Sequence, residues 1–353
     1  MFKKVVLIGL VLIGIGAFYY RDALMSMFGK SQRTINKTEV KLLLEDDFSI
    51  DSLAMLLVEK EILASVDEFR KEAEKQGLDD QSFDAGKYVI LSGTKVSNLV
   101  DGFTRAENGH GKAEVKVNVL FNRCTRIEDI GMNISQYIQA DSASIVDCIQ
   151  SEETMKKYGF TDAQLPALFL PDSYEMYYDS DAEAFVAFMA VQFKKFWNAE
   201  RIAQLKALGF QSPSQAVTLA SIVYSEQSKV PEEWPIIAKL YLNRINQGIL
   251  LQSDPTFKFC WGTKLDGVQR LLAKHRDIDC PYNTYKYLGL PPGPICITPG
   301  KVIDAVLNPA NVDYIFMCAK PGYDGSHNFT NSGAQHIKNA SEFQRWLSKE
   351  QKK

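Results

Sequence analysis

Ser212-Pro213-Ser214-Gln215-Ala216-Val217-Thr218-Leu219-Ala220-Ser221-Ile222-Val223-Tyr224-Ser225-Glu226 is the stretch that organises the chain. Ser212 is a fitting N-cap. Pro213 suits the first helical position, where its missing N–H costs nothing, and Gln215 completes a capping box. An apolar stripe then runs through Ala216, Leu219, Ile222 and Val223 at helical spacing. Projected onward it lands on Glu226, seven residues after Leu219, four after Ile222 and three after Val223. A carboxylate on a core-facing stripe loses water, which disfavours its charged form and raises its pKa. A glutamate kept protonated near neutral pH is what a general acid requires. The plain alternative is a helix that has reached its surface end, since Gln227, Ser228 and Lys229 follow.

Downstream, Pro231 to Ile245 reads as a second helix. Trp234, Ile237, Tyr241 and Ile245 share one side; Ile236, Leu240 and Asn243 share an adjoining one. Asn243-Arg244 closes it, and Gly248 is the stop. Leu251-Gln252-Ser253-Asp254-Pro255-Thr256 follows, where Gln252 and Asp254 either bind hydroxyls or form an Asx-turn before proline. A polar insertion, Gly262 to Asp279, precedes Tyr282-Asn283-Thr284-Tyr285. Gly289-Leu290-Pro291-Pro292-Gly293-Pro294-Ile295 then makes a rigid, non-helical wall. Aromatics, amides and hydroxyls on rigid loops suit sugar binding, and suit structural loops as well.

Upstream, Val40, Leu42 and Leu44 read as a strand. Ser49 caps a helix with Leu53, Leu56 and Leu57, and Ser65 with Glu68 caps a second one carrying Phe69. Gly86 opens the strand Lys87–Leu91. This is a compact βααβ unit. Residues 114–120 alternate as a half-buried strand, and Thr125 with Glu128 opens a helix through Ile127, Ile130 and Ile134. Phe169 to Tyr174 is a turn. The helix after it, with Phe185, Phe188, Phe193 and Phe196, reads as core.

Val5 to Tyr20 is an unbroken run of apolar residues and glycines behind Lys3 and Lys4. Extended through Leu24 to Phe28, with Arg21 snorkelling, it reaches the roughly 20 residues a membrane helix needs. A cleaved signal peptide is the alternative, but Tyr19 and Tyr20 stand where small residues should be. The expectation is an uncleaved single-pass anchor with its N-terminus inside and the bulk of the chain outside the cytoplasm. The expected fold class is α+β. Its order is a short tail (1–4), a transmembrane helix (5–28), a linker (29–38), a small βααβ domain (39–102), a connecting α/β region (103–165) and a mixed α/β domain (166–347).

Composition closes off other classes. Of 353 residues, 46% are hydrophobic and 24% charged, which excludes wholesale disorder. Lys+Arg 40 against Asp+Glu 43 gives a formal net charge of −3, without the basic excess expected of a nucleic-acid binder. Six cysteines without a CxxC pair argue against a zinc knuckle. With four histidines and no HExxH, metal hydrolysis has little support.

The chain resembles the YceG-like family, the endolytic murein transglycosylases of bacteria. The matching residues are Leu219 to Val223, Glu226, Asn243-Arg244, Leu251 to Thr256, Tyr282 to Tyr285 and Gly289 to Ile295. Pro299-Gly300, Asn308-Pro309, His327 with Phe329, and His336 add to them, and Pro171 to Tyr174 resembles an upstream element of the family. The resemblance implies an anchor, a LysM-like βααβ region and a catalytic domain in the periplasm on the outer side of the inner membrane. It implies peptidoglycan glycan strands as substrate, synthases of the elongation or division machinery as partners, and neither cofactor nor metal nor nucleic acid. Where the family helix often carries two acids, Tyr224 replaces the first, leaving Glu226 as the catalytic residue. Asn243, Gln252, Asp254, Asn283 and Tyr285 are the candidates for orienting sugar or glutamate.

One acid suffices for a lytic transglycosylase. It protonates the oxygen between MurNAc and GlcNAc, then deprotonates the MurNAc C6 hydroxyl as that closes onto C1, giving a 1,6-anhydro end. The rivals are a muramidase with Asp254 as second carboxylate, a non-catalytic wall-binding division scaffold, and a metal hydrolase using His327 and His336.

Overall fold

The computed structural model describes residues 32–45, 48–122, 124–265, 268, 272–322 and 324–350. The chain divides into two compact units. One runs to Val117 and includes Glu175–Asp179; the other comprises Asn118–Tyr174 and Ser180 onward.

In the first unit, β1 (Val40–Leu44) and β2 (Gly86–Ile90) pair antiparallel, in register from Val40 opposite Ile90 to Leu44 opposite Gly86. Between them lie α1 (Ile50–Glu59) and α2 (Val66–Lys75), followed by α3 (Val96–Gly102). The Ser49 and Ser65 side chains accept from Ser52 N–H and Asp67 N–H, so both expected caps form. Leu42, Leu44, Leu53, Leu57, Phe69 and Phe103 build the core. Polarity reads residues 29–38 as linker, yet Thr34 N–H donates to Thr94 O and Ile35 N–H to Ile62 O, so this part is stitched into the unit.

β3 (Val117–Phe121) pairs with β4 (Asp172–Met176); Val117, Glu175 and Met176 belong to the first unit and the rest of both strands to the second. After β3 come α4 (Ile127–Ile134), α5 (Ser142–Ile149), α6 (Glu152–Tyr158) and a 3-10 turn, Asp162–Leu168. After β4 come α7 (Ala182–Phe196), α8 (Ala199–Ala207), α9 (Pro213–Glu226), α10 (Trp234–Asn246), α11 (Asp254–Trp261), α12 (Ala273–Arg276) and α13 (Gly300–Leu307). A hairpin of β5 (Phe316–Ala319) and β6 (His327–Thr330) precedes α14 (Gly333–Glu350). Helix α4 starts one residue later than the Thr125 box suggests, with Arg126 as its cap. Asp129, rather than Glu128, folds back to accept the Thr125 and Arg126 N–H groups.

Helix α9 is the centre of this unit, with α10, α11, α13 and the 3-10 turn packed around it. Ser214 and every residue from Ala216 to Val223 are buried, so the helix is covered on all sides rather than along one stripe. Its hydroxyls are satisfied locally: Thr218 donates to Ser214 O at 2.7 Å and Ser221 to Thr218 O at 2.8 Å. The Gln215 side chain accepts from Gln211 N–H at 2.8 Å, one residue before the cap, and Ser212 makes no side-chain cap bond, so the expected box does not form.

The expected transmembrane helix, Val5 to Phe28, lies outside the described residues. Among those residues no helix is long and apolar enough to cross a membrane. The fold class of the described chain is therefore α+β with no membrane span, which corrects the expectation that included one.

Candidate active site

Glu226 is the last residue of α9, with Gln227 as the cap. The stripe and the helix end thus coincide: the carboxyl leaves the core at the point where the helix stops, and the residue is half-buried. Ser253 Oγ donates to its Oε1 at 2.5 Å and Tyr241 Oη donates to the same oxygen at 2.8 Å. Both donors are themselves buried. Burial pushes the Glu226 carboxyl above the usual carboxylate range. The Ser253 and Tyr241 bonds pull it back, the nearby charge of Asp254 adds to the rise and His327 opposes it, with the net shift upward.

Each donor is placed by a different element. Tyr241 projects from α10. Ser253 lies just before α11, its N–H bonded to Thr284 Oγ1 at 3.0 Å. Gln252 before it has φ +56°, a left-handed conformation uncommon for a residue with a side chain, and bonds its N–H to Thr284 O. Buried Arg244 holds this loop from the helix side, donating to Gln252 Oε1 at 2.7 Å, Leu250 O at 2.8 Å and Ile315 O at 2.7 Å.

The end of α9 is fixed by a second network. Gln227 Nε2 donates to Glu233 Oε2 at 2.8 Å and to Gly325 O at 2.9 Å. Glu233 accepts from the His327 backbone N–H at 2.8 Å, and its other oxygen lies 2.7 Å from His327 Nδ1. Trp234 Nε1 donates to Gln227 O at 2.6 Å.

The other sequence candidates fall into two groups. Asp254 and Tyr285 belong together: Tyr285 Oη donates to Asp254 Oδ1 at 2.5 Å, and the Arg276 guanidinium lies 3.7 Å from that oxygen and over the tyrosine ring. Gln252 is exposed beside them. Asn243 and Asn283 are occupied elsewhere. Asn243 Nδ2 donates to Val312 O and Tyr314 O and faces a separate cavity of about 500 Å³. Asn283 has no exposed surface; its amide holds Arg276 O and Ile278 O at 2.7 and 2.8 Å. Both asparagines brace backbone. His336 stacks on Phe316 in the hairpin and α14, 5.1 Å between ring centres, so it does not join His327 in a metal set.

Sequence reading passed over Ser253, although both its neighbours were singled out, and took Tyr241 as apolar packing. It left Glu233 and Gln227 unassigned. A disulfide, Cys260–Cys280, ties the end of α11 to the segment before Tyr282; the sequence left the pairing open. A cavity of about 710 Å³ in this unit is lined by Leu120, Tyr174, Lys195, Arg201 and Asp304 among others and contains none of the residues around Glu226. Volume does not mark this site; the loaded carboxyl does.

The sequence matches the YceG-like family over residues 42–342. The chain belongs to the YceG-like family. Among relatives of this YceG-like chain is the endolytic murein transglycosylase of Bacillus subtilis (strain 168), 24% identical over 338 residues, covering 92% of this chain and 89% of that one. The endolytic murein transglycosylase of Streptococcus pneumoniae serotype 2 (strain D39 / NCTC 7466) is 29% identical over 131 residues, 36% of this chain and 23% of that one. A YceG-like protein of Listeria monocytogenes, solved by crystallography, superposes with a TM-score of 0.55 at 22% identity, covering 86% of this chain and 99% of that one. That likeness is one of fold.

Proposed function

We propose that this chain is an endolytic lytic transglycosylase of peptidoglycan, with Glu226 as its acid and base. The observation that carries the reading is the uneven loading of one carboxyl group. Both hydroxyls reach Oε1, so Oε1 takes the carbonyl role and Oε2 carries the proton. Burial raises the carboxyl above the usual carboxylate range, which favours the protonated form a general acid requires.

Glu226 Oε2–H donates to the glycosidic oxygen between MurNAc and GlcNAc as the C1–O4 bond breaks. The oxocarbenium-like centre is stabilised by the substrate's own N-acetyl group. While Glu226 is charged, Ser253 and Tyr241 hold the negative oxygen, the kind of preorganised stabilisation that needs no rearrangement during the reaction. The carboxylate then takes the proton of the MurNAc C6 hydroxyl as O6 bonds to C1. One bond breaks and one forms, the proton returns to Glu226, and no water is consumed. The product is a 1,6-anhydro-MurNAc end, and cutting within nascent strands terminates their elongation.

Asp254 fits this scheme as an electrostatic neighbour: its Oδ1 is engaged by Tyr285, which disfavours the free second carboxylate of a muramidase. Exposed Gln252 and half-buried Asp254 and Tyr285 form the rim on which sugar hydroxyls would rest. The Cys260–Cys280 bridge supports an oxidising, extracytoplasmic location, where the substrate is. Synthases of the elongation or division machinery are the partners this reading implies.

The test is digestion of purified peptidoglycan by wild type and Glu226→Gln. The reading requires glycan cleavage to fall by about 10²–10⁴-fold, the range for a lost general acid–base group. Undiminished cleavage by Glu226→Gln would reject it.

A further inference from the structure

His110, Glu114 and Asp179 converge in the first unit, apart from the chemistry above. His110 Nδ1 lies 2.6 Å from Asp179 Oδ1 and 3.8 Å from Glu114 Oε2. One ligand atom from each residue lies within 4.8 Å of the other two.

The state of Glu114 points to a missing occupant. Its side chain has no exposed surface. Oε1 accepts the Tyr178 N–H at 3.1 Å, but Oε2, the oxygen facing His110, has no hydrogen-bond partner. A buried carboxylate oxygen left without a partner is costly. The backbone nevertheless makes room for this carboxylate: at Gly86, with φ +146°, a Cβ would sit 2.7 Å from Glu114 Cδ. The nearby cations have other ion-pair partners, although the Arg105 charge also favours the charged form of Asp179. Arg105 is engaged by Asp84, itself buried, and Lys112 by Asp101 at 2.6 Å. Two carboxylates thus face one imidazole.

We infer that His110, Glu114 and Asp179 form a binding site for a divalent transition-metal cation of the zinc class. Imidazole nitrogen with carboxylate oxygen suits zinc and its neighbours, whereas magnesium prefers an all-oxygen octahedron. The ion takes His110 Nδ1, Glu114 Oε2 and Asp179 Oδ1, displacing the His110–Asp179 hydrogen bond and releasing its proton. The Tyr178 N–H on Oε1 orients Glu114, the role an outer-shell donor plays in metal sites. His110 and Asp179 side chains are 23% and 13% exposed, which leaves an entry path and a fourth position for water. The ion would fasten the Glu175–Asp179 segment to the 105–114 loop, so it is structural and independent of the Glu226 reaction.

The test uses the untagged full chain, stripped with chelator and titrated with zinc chloride in a calorimeter, with magnesium chloride as control. Expected are one zinc per chain, no magnesium, and zinc affinity at least about 100-fold weaker in Glu114→Gln and in Asp179→Asn. Zinc should raise the melting temperature of wild type and of neither variant. Glu114→Gln keeps an acceptor for the Tyr178 N–H and so preserves the fold, which circular dichroism checks. Absence of stoichiometric zinc binding overturns the inference. So does equal binding by wild type and both variants, which would assign the ion to the free thiols or other histidines.

Discussion

Glu226 Oε1 accepts from Ser253 and Tyr241 together, so removing either hydroxyl changes the carboxyl in one direction. Donors to the charged form lower its pKa, so Tyr241→Phe and Ser253→Ala should each move the alkaline limb of kcat/KM to higher pH, with activity at the optimum falling about tenfold for one lost donor to a developing charge. A limb that stays in place in both variants would remove the hydroxyls from the account. The same carboxyl links pH to folding. Its folded value is raised above the ordinary value of about 4.3, so it favours folding below that value and the benefit is lost as pH rises through the raised one. Glu226→Gln, whose amide oxygen can accept both hydroxyls, should therefore melt at a higher temperature than wild type at pH about 8. The difference should shrink as pH falls toward about 4, below which both states of the wild type hold the proton. Differential scanning calorimetry at the two pH values measures this, and a variant that melts lower at the higher pH contradicts it. Glu226 was legible because helical period alone projects it onto the buried stripe. Ser253 was not: its partner lies 27 residues away, and no local pattern encodes that closure.

At the scale of elements, helix α9 shows how far periodicity carries. Ala216, Leu219, Ile222 and Val223 were legible as core, and they are. That Thr218 and Ser221 are buried as well was not legible, because their hydroxyls are satisfied within the helix or by a distant loop: Ser221 Oγ also accepts the Ile295 N–H at 3.0 Å. The Gly/Pro wall was legible as rigid, while its partner was not. At Gly293 a Cβ would overlap the carbonyl oxygen of Ala163 and approach Gln164 N to 3.2 Å. Since these are backbone atoms that no rotamer change can move, Gly293→Ala should cost about 3 kcal/mol or more. Urea titration measures this, and a loss under about 1 kcal/mol would show that the 3-10 turn yields easily. The backbone partners of the asparagines were not legible for a related reason. Amides flanked by polar and aromatic residues look like sugar contacts, but Asn243 and Asn283 cap carbonyl groups that the irregular backbone would otherwise leave unpaired.

For the whole molecule, α+β class and the βααβ order followed from strand and helix periods. The chain's return through Glu175–Asp179 into the first unit did not, since a five-residue excursion carries no compositional mark. The account assigns that first unit a metal-fastened segment and the second an acid that spends and recovers one proton. These are separable, and the second is the central claim. Its most direct test is the mass of the glycan ends released from purified peptidoglycan by the wild-type chain. The account predicts anhydro ends, lighter than ordinary reducing ends by one water, formed even when the digestion is run in isotopically heavy water and carrying none of its oxygen. Reducing ends bearing heavy oxygen would contradict it and make the enzyme a hydrolase.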